Sequence, residues 1–156
     1  MLKRLPTKLG LNYRGCHQGI LSGIIILTHV LNGCAETKSL QCQKIFKIAD
    51  EMTQETKTLT NSGQEINMKT WLVAADELEQ GAQDMEKIEI SDQTLQQYQV
   101  GFAEVYQDYA EATREIVKAW ETKDRIAGKS AQEKVRRANK RERELGEKIN
   151  TYCQGD

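Results

Sequence analysis

Histidine and proline are nearly missing from this 156-residue chain, which has two of the first and one of the second. All three, Pro6, His17 and His29, fall within the first 33 residues. Beyond that point there is no imidazole. This excludes Ser-His-Asp and Cys-His nucleophilic sets, and also the Glu-x-x-His pairs with which ferritin-like bundles hold iron. No proline interrupts a helix there either. An excess of positive charge is missing as well: the formal net charge is −1. The first 33 residues contribute Lys3, Arg4, Lys8 and Arg14 with no acid, and taking these four from 22 basic residues leaves 18 against 23 acidic ones. The remainder lacks the electrostatic footprint of a nucleic-acid binder. Long apolar runs are missing too, the most extended being Ile20 to Leu31, 12 residues. As a helix this run covers about 18 Å of a hydrocarbon core about 30 Å thick, too little for a stable span.

The short run is preceded by the basic stretch Met1 to Gly19 and followed by Leu31-Asn32-Gly33-Cys34. A charged region, a short apolar region and a small-residue site in this order read as a secretory signal over residues 1–33. The closing tetrapeptide resembles the lipobox of bacterial lipoprotein precursors. That resemblance implies cleavage before Cys34, a thioether-linked diacylglycerol on its sulfur and an extracytoplasmic chain anchored to a membrane. Each buried methylene of such acyl chains contributes about 0.8 kcal/mol, so two or three chains hold a protein on a bilayer. An uncleaved anchor, or an ordinary signal with Cys34 as an incidental thiol, is the alternative. Ala35 does not match the Asp of an inner-membrane retention signal, so the final membrane stays open.

Of the four cysteines, Cys16 belongs to the leader and Cys34 to the lipid, leaving Cys42 and Cys153. An even pair in an oxidising compartment reads as a disulfide, with two free buried thiols as the alternative. A zinc site is poorly served, since neither CxxC spacing nor histidine accompanies the pair.

From Ser39 onward apolar residues recur at steps of three and four. Cys42, Ile45, Ala49, Met52, Thr56 and Leu59 form one stripe, and Asn61-Ser62-Gly63 supplies turn chemistry after it. Asn67, Asp92 and Asp124 each precede a further periodic run and are placed to cap it. The spacing predicts helices over 39–60, 67–89, 92–122 and 124–152, joined by short turns after a tether at 34–38. Such segments pack as an antiparallel up-down-up-down four-helix bundle, an all-α fold. An even helix count returns the chain to its starting end. Cys42, opening the first helix, and Cys153, closing the fourth, then lie together, and the lipid attaches at that same end.

The last two helices are the longer pair, and their hairpin is expected to overhang by roughly 10 Å. Its tip carries Ile116, Val117, Trp120 and Ile126, either as a docking surface for a protein partner or as a hairpin folded back to bury Trp120. Tyr98, Phe102, Val105 and Tyr109 fall on the core stripe of the third helix, with Tyr106 beside it and partly exposed. Gly128-Lys129-Ser130 ends like a P-loop, but position 123 is Lys123 and no strand precedes it. The acids Asp76, Glu77, Glu79, Asp84, Glu86 and Glu89 read as a solvated face rather than a metal site. From Cys34 to Ala112 there are 6 lysines and 15 acids, and from Thr113 to Asp156 there are 12 basic and 8 acidic residues, so the two hairpins attract. The cluster Arg136, Arg137, Lys140, Arg141 and Arg143 is interleaved with Glu133, Glu142, Glu144 and Glu147, which favours ion pairing along the helix over contact with anionic lipid.

The stretch Trp71-Leu72-Val73-Ala74-Ala75-Asp76, with Tyr98-Gln99, Phe102 and the closing Ile149-Asn150-Thr151-Tyr152-Cys153-Gln154, resembles small uncharacterised secreted helical proteins of cyanobacteria. A broader similarity is to lipid-anchored four-helix accessory subunits of photosystem II. Neither resemblance implies catalytic residues or a cofactor. The expectation is a non-enzymatic, lipid-anchored module that binds a protein partner in a membrane-associated complex; the alternative is a small-ligand or metal carrier using the aromatic band or the acidic face.

Overall fold

The computed structural model describes residues 36–59 and 67–155. The leader, the lipobox with Cys34, and the turn at Asn61-Ser62-Gly63 lie outside these residues. Four α-helices account for nearly all of the described chain: α1 (Lys38–Leu59), α2 (Met68–Lys87), α3 (Gln93–Glu121) and α4 (Arg125–Gln154). They form the all-α four-helix bundle expected from the periodicity, with bounds within a few residues of those read from the sequence.

The helix starts follow from capping chemistry. Asn67 accepts from the backbone N–H groups of Lys69 and Thr70, Asp92 from Thr94 and Leu95, and Asp124 from Ile126 and Ala127. Each side-chain oxygen satisfies donors that have no partner inside the helix. The α3–α4 turn is equally compact. Asp124 N–H donates to Ala119 and Lys123 N–H to Trp120, a Schellman reversal in which Lys123, at φ 56°, holds the left-handed position usual for glycine.

Helices adjacent in sequence are adjacent in space. α2 packs on α1 and α3, α3 on α2 and α4, and α1 touches α3 and α4 only lightly. α3 is thus the central helix, and its buried face is wide: it includes Leu95, Gly101, Phe102, Ala103, Val105, Tyr106, Ala110, Ala112, Val117 and Ala119. That width corrects one expectation. Tyr106 is buried at 2% exposure, because the flank of the stripe is covered by neighbouring helices as well as its centre.

The start of α1 and the end of α4 meet as an even helix count requires. Cys42 and Cys153 are joined as a disulfide with 6.2 Å between their Cα atoms. Around it, Tyr152 meets Tyr98 edge-on at 6.1 Å, and Lys38 lies 4.5 Å above the Tyr152 ring. Buried Gln41 ties α1 to the α2–α3 turn: its Nε2 donates to Glu36 O and Ser91 Oγ, and its Oε1 accepts from Ser91 N and Asp92 N at 2.7 and 3.0 Å. Gln99 Nε2 donates to the carbonyls of Met85 and Ile88 at 2.7 and 2.8 Å, closing the end of α2. Position 99 therefore lies level with the end of α2, so α3 extends past α2 at the disulfide end.

Opposite charge on neighbouring helices is realised as ion pairs. Arg114 bridges Asp76 and Glu79 of α2 at 2.7 and 2.6 Å, and Lys134 bridges Glu111 and Glu115 of α3 at 2.7 and 2.5 Å. In the basic run of α4, Arg136 pairs with Glu133, Lys140 with Glu144 at 3.8 Å, and Arg141 with Glu104. These mostly exposed pairs contribute little individually, and those of Arg136 and Lys140 lie within α4 itself.

Candidate functional site

α1 is anchored at one end only. Its buried residues are Gln41, Cys42, Ile45 and Met52, and none after Met52 is buried. Among the described residues the core at the opposite end of the bundle is therefore built by α2, α3 and α4, and a groove opens over α3. Tyr109, Thr113, Ile116, Val117 and Trp120 of α3 form its floor, at steps that keep them on one helical face. Met68 and Trp71 of α2 make one wall, and Gln132, Val135 and Arg136 of α4 the other. Its volume is about 430 Å³.

Trp120 and Gln132 also line a second depression of about 470 Å³ with Ala119, Lys123, Asp124, Arg125, Gly128 and Lys129, so the two adjoin. The groove thus runs from an apolar stretch to a basic mouth. Asp124, the acid at that mouth, is engaged with the backbone N–H groups that it caps. Among the described residues, the side chains of Lys123, Arg125 and Lys129 form no ion pair.

All four tip residues singled out in the sequence, Ile116, Val117, Trp120 and Ile126, are at this end, and Val117 is buried in the groove floor. Trp120 is 52% exposed and Ile126 83%, while Ile116 is half-buried in the groove floor. The folded-back hairpin that would bury Trp120 is not formed, since more than half of that side chain is exposed. Met68 and Trp71 carry the three- and four-residue spacing of the apolar residues in α2, yet Met68 is 41% exposed and both line the groove. Their role becomes visible only once α1 is seen to leave α3 uncovered.

A smaller cleft of about 260 Å³ lies between α1 and α4, lined by Met52, Thr53, Thr56, Lys57, Leu78, Tyr106, Tyr109 and Glu142. Tyr109 donates its hydroxyl to Glu142 Oε2 at 2.8 Å. Burial, with Glu142 adding to it, pushes the ionisation of Tyr109 well above the ordinary range. Tyr106 is raised in the same way by burial and then by Glu142 and Asp50, and its buried hydroxyl has no hydrogen-bond partner.

Among the described residues no group of three or more His, Cys, Asp or Glu side chains is arranged to hold a metal ion. Three acids of α2 are drawn into ion pairs and hydrogen bonds, Asp76 and Glu79 with Arg114, and Asp84 with Lys87 and Gln80. No described helix is long and apolar enough to cross a membrane. Comparison with known protein families, curated proteins and solved structures found no match.

Proposed function

We propose that this protein is a lipid-anchored extracytoplasmic module whose helical bundle docks a protein partner in a membrane-associated complex. The address rests on the charged leader, the short apolar run and Leu31-Asn32-Gly33-Cys34, which together resemble a lipoprotein signal. The docking role rests on one observation, the apolar groove of about 430 Å³ at the end of the bundle away from the disulfide. A concave, mostly apolar groove with a few polar groups at its edge is the form that binding sites commonly take. An anchor at position 34 tethers the start of α1, and the groove is at the other end of the bundle, where a partner reaches it.

The test uses native membranes. Replacing Cys34 by Ala is expected to move the protein from the membrane fraction to the soluble fraction. A photo-crosslinking residue at position 120 is expected to give one discrete adduct, and the same residue at the exposed Gln97, at the disulfide end, none. Retention of the Cys34→Ala protein on the membrane contradicts the address, and equal labelling from both positions contradicts the docking role.

The carrier reading keeps one supporting observation, the unpartnered Tyr106 hydroxyl beside the cleft of about 260 Å³. A bound polar molecule would satisfy it, and so would a single water.

A further inference from the structure

We infer that the groove over α3 takes an amphipathic helix of a partner protein, with acidic side chains at the end that meets Lys123, Arg125 and Lys129. This rests on the docking role proposed above and specifies the chemistry of the partner. The shape argument comes first. The floor from Tyr109 to Trp120 runs eleven residue steps along α3, about 17 Å or three helical turns. α2 and α4 wall it on either side without packing against each other. The slot is the position that α1 would hold if its buried face continued past Met52, so an incoming helix would complete the ring of four. Partner helices of this kind present anchors at i, i+3, i+4 and i+7 to such a groove.

The charge argument sets the flank. At the mouth stand three cations without acid partners, while the one acid lining it, Asp124, is taken up in capping α4. Lys123 holds its place at φ 56°, where glycine would sit without strain. An acidic helix end matches this mouth. A second copy docked tip to tip brings the same cations against themselves. A flat bilayer would cover Ile126 and the rim of Trp120 but leave Tyr109 and Thr113 on the groove floor uncovered.

The chain has two tryptophans, and both line the groove, so intrinsic fluorescence reads it directly. The probes are two tryptophan-free, lactam-locked peptides of about three turns, identical in their leucine face, one with glutamates and the other with lysines at one end. They are titrated into the full chain held in phosphatidylcholine nanodiscs. The glutamate peptide is expected to saturate the signal at least about tenfold more tightly than the lysine peptide. Added salt should narrow the difference. Lys123→Glu combined with Lys129→Glu should invert the preference while circular dichroism keeps the helical signal. The double variant carries the test because neither side chain is buried.

Equal affinity of the two peptides, binding of neither, or a preference unchanged by the charge reversal overturns the assignment. So does a tryptophan shift given by phosphatidylglycerol vesicles or by self-association at high protein concentration in place of the peptide. A discrete cross-link from position 120 in native membranes together with peptide indifference overturns the acidic helix alone and leaves the docking role standing.

Discussion

Tyr152, in the last turn of α4, donates its hydroxyl to Oδ2 of Asp92, the residue that caps α3, at 2.8 Å. Asp92 Oδ1 accepts from Thr94 N and Leu95 N, both at 2.9 Å, so one carboxylate closes α3 and ties it to the end of α4. The Leu95 amide foremost, and the Tyr152 hydroxyl after it, hold the Asp92 carboxyl below the usual carboxylate range. Because the folded value is depressed, the stabilisation is fully present above the unfolded Asp value of about 3.9 and is lost as pH falls through the folded value. Asp92→Asn should therefore flatten the loss of stability in urea melts below about pH 4. Asp92→Ala should cost about 1 kcal/mol at neutral pH through loss of the cap. An unchanged acid limb in Asp92→Asn would contradict this.

Tyr106 offers a different case, a buried hydroxyl without a partner. Leaving such a group dry costs free energy that phenylalanine does not incur, so Tyr106→Phe should raise stability by about 1 kcal/mol. Thermal melts measure it. A fall instead of a rise would mean that a water or ligand in the neighbouring cleft bonds this oxygen.

Two helical glycines predict opposite outcomes for the same substitution. A Cβ at Gly146 meets nothing within 4 Å, so Gly146→Ala should stabilise by about 0.8 kcal/mol through helix propensity. A Cβ at Gly81 would lie 2.0 Å from Met52 Sδ, the last buried anchor of α1 on α2. Gly81→Ala should destabilise by about 1 to 2 kcal/mol, overpacking outweighing propensity, and Gly81→Ala with Met52→Ala should behave additively only if the two do not touch. Urea midpoints compare all four proteins.

The disulfide closes a loop of 111 residues. On the chain-entropy view, removing it with Cys42→Ser and Cys153→Ser lowers stability by up to about 5 kcal/mol. Because α1 touches α4 lightly, the loss should appear first as faster amide exchange in α1, with α2 to α4 retained. Uniform loosening of all four helices would contradict the one-sided attachment of α1.

The parts legible in the sequence were those with local causes. Asn67, Asp92 and Asp124 are short polar side chains directly before an apolar period, and each caps a helix as that placement implies. The antiparallel order followed from short turns, and the cysteines at the two ends of the bundle fitted it. Buried Gln41 was not legible, since its partners Ser91 and Asp92 lie 50 and 51 residues away and nothing local marks a glutamine for burial. Tyr106 was misplaced because a stripe describes contact with one neighbour, and α3 has neighbours on several sides. The site was half legible. Ile116, Trp120 and Ile126 were placed at the tip by counting residues, but exposure of Trp120 depends on where the burial of α1 ends, a tertiary fact. Met68 and Trp71 carry the same periodic signal as core residues, so the α2 wall of the groove could not be separated from the core.

Intact mass spectrometry of the protein extracted from its native membrane decides whether the bundle is displayed outside the cytoplasm on a lipid. The expected species begins at Cys34, carries the mass of a diacylglycerol with or without a further acyl chain, and is two hydrogens lighter than its reduced form, for the Cys42–Cys153 bond. A species that retains residues 1–33 and has an unmodified Cys34 would contradict it.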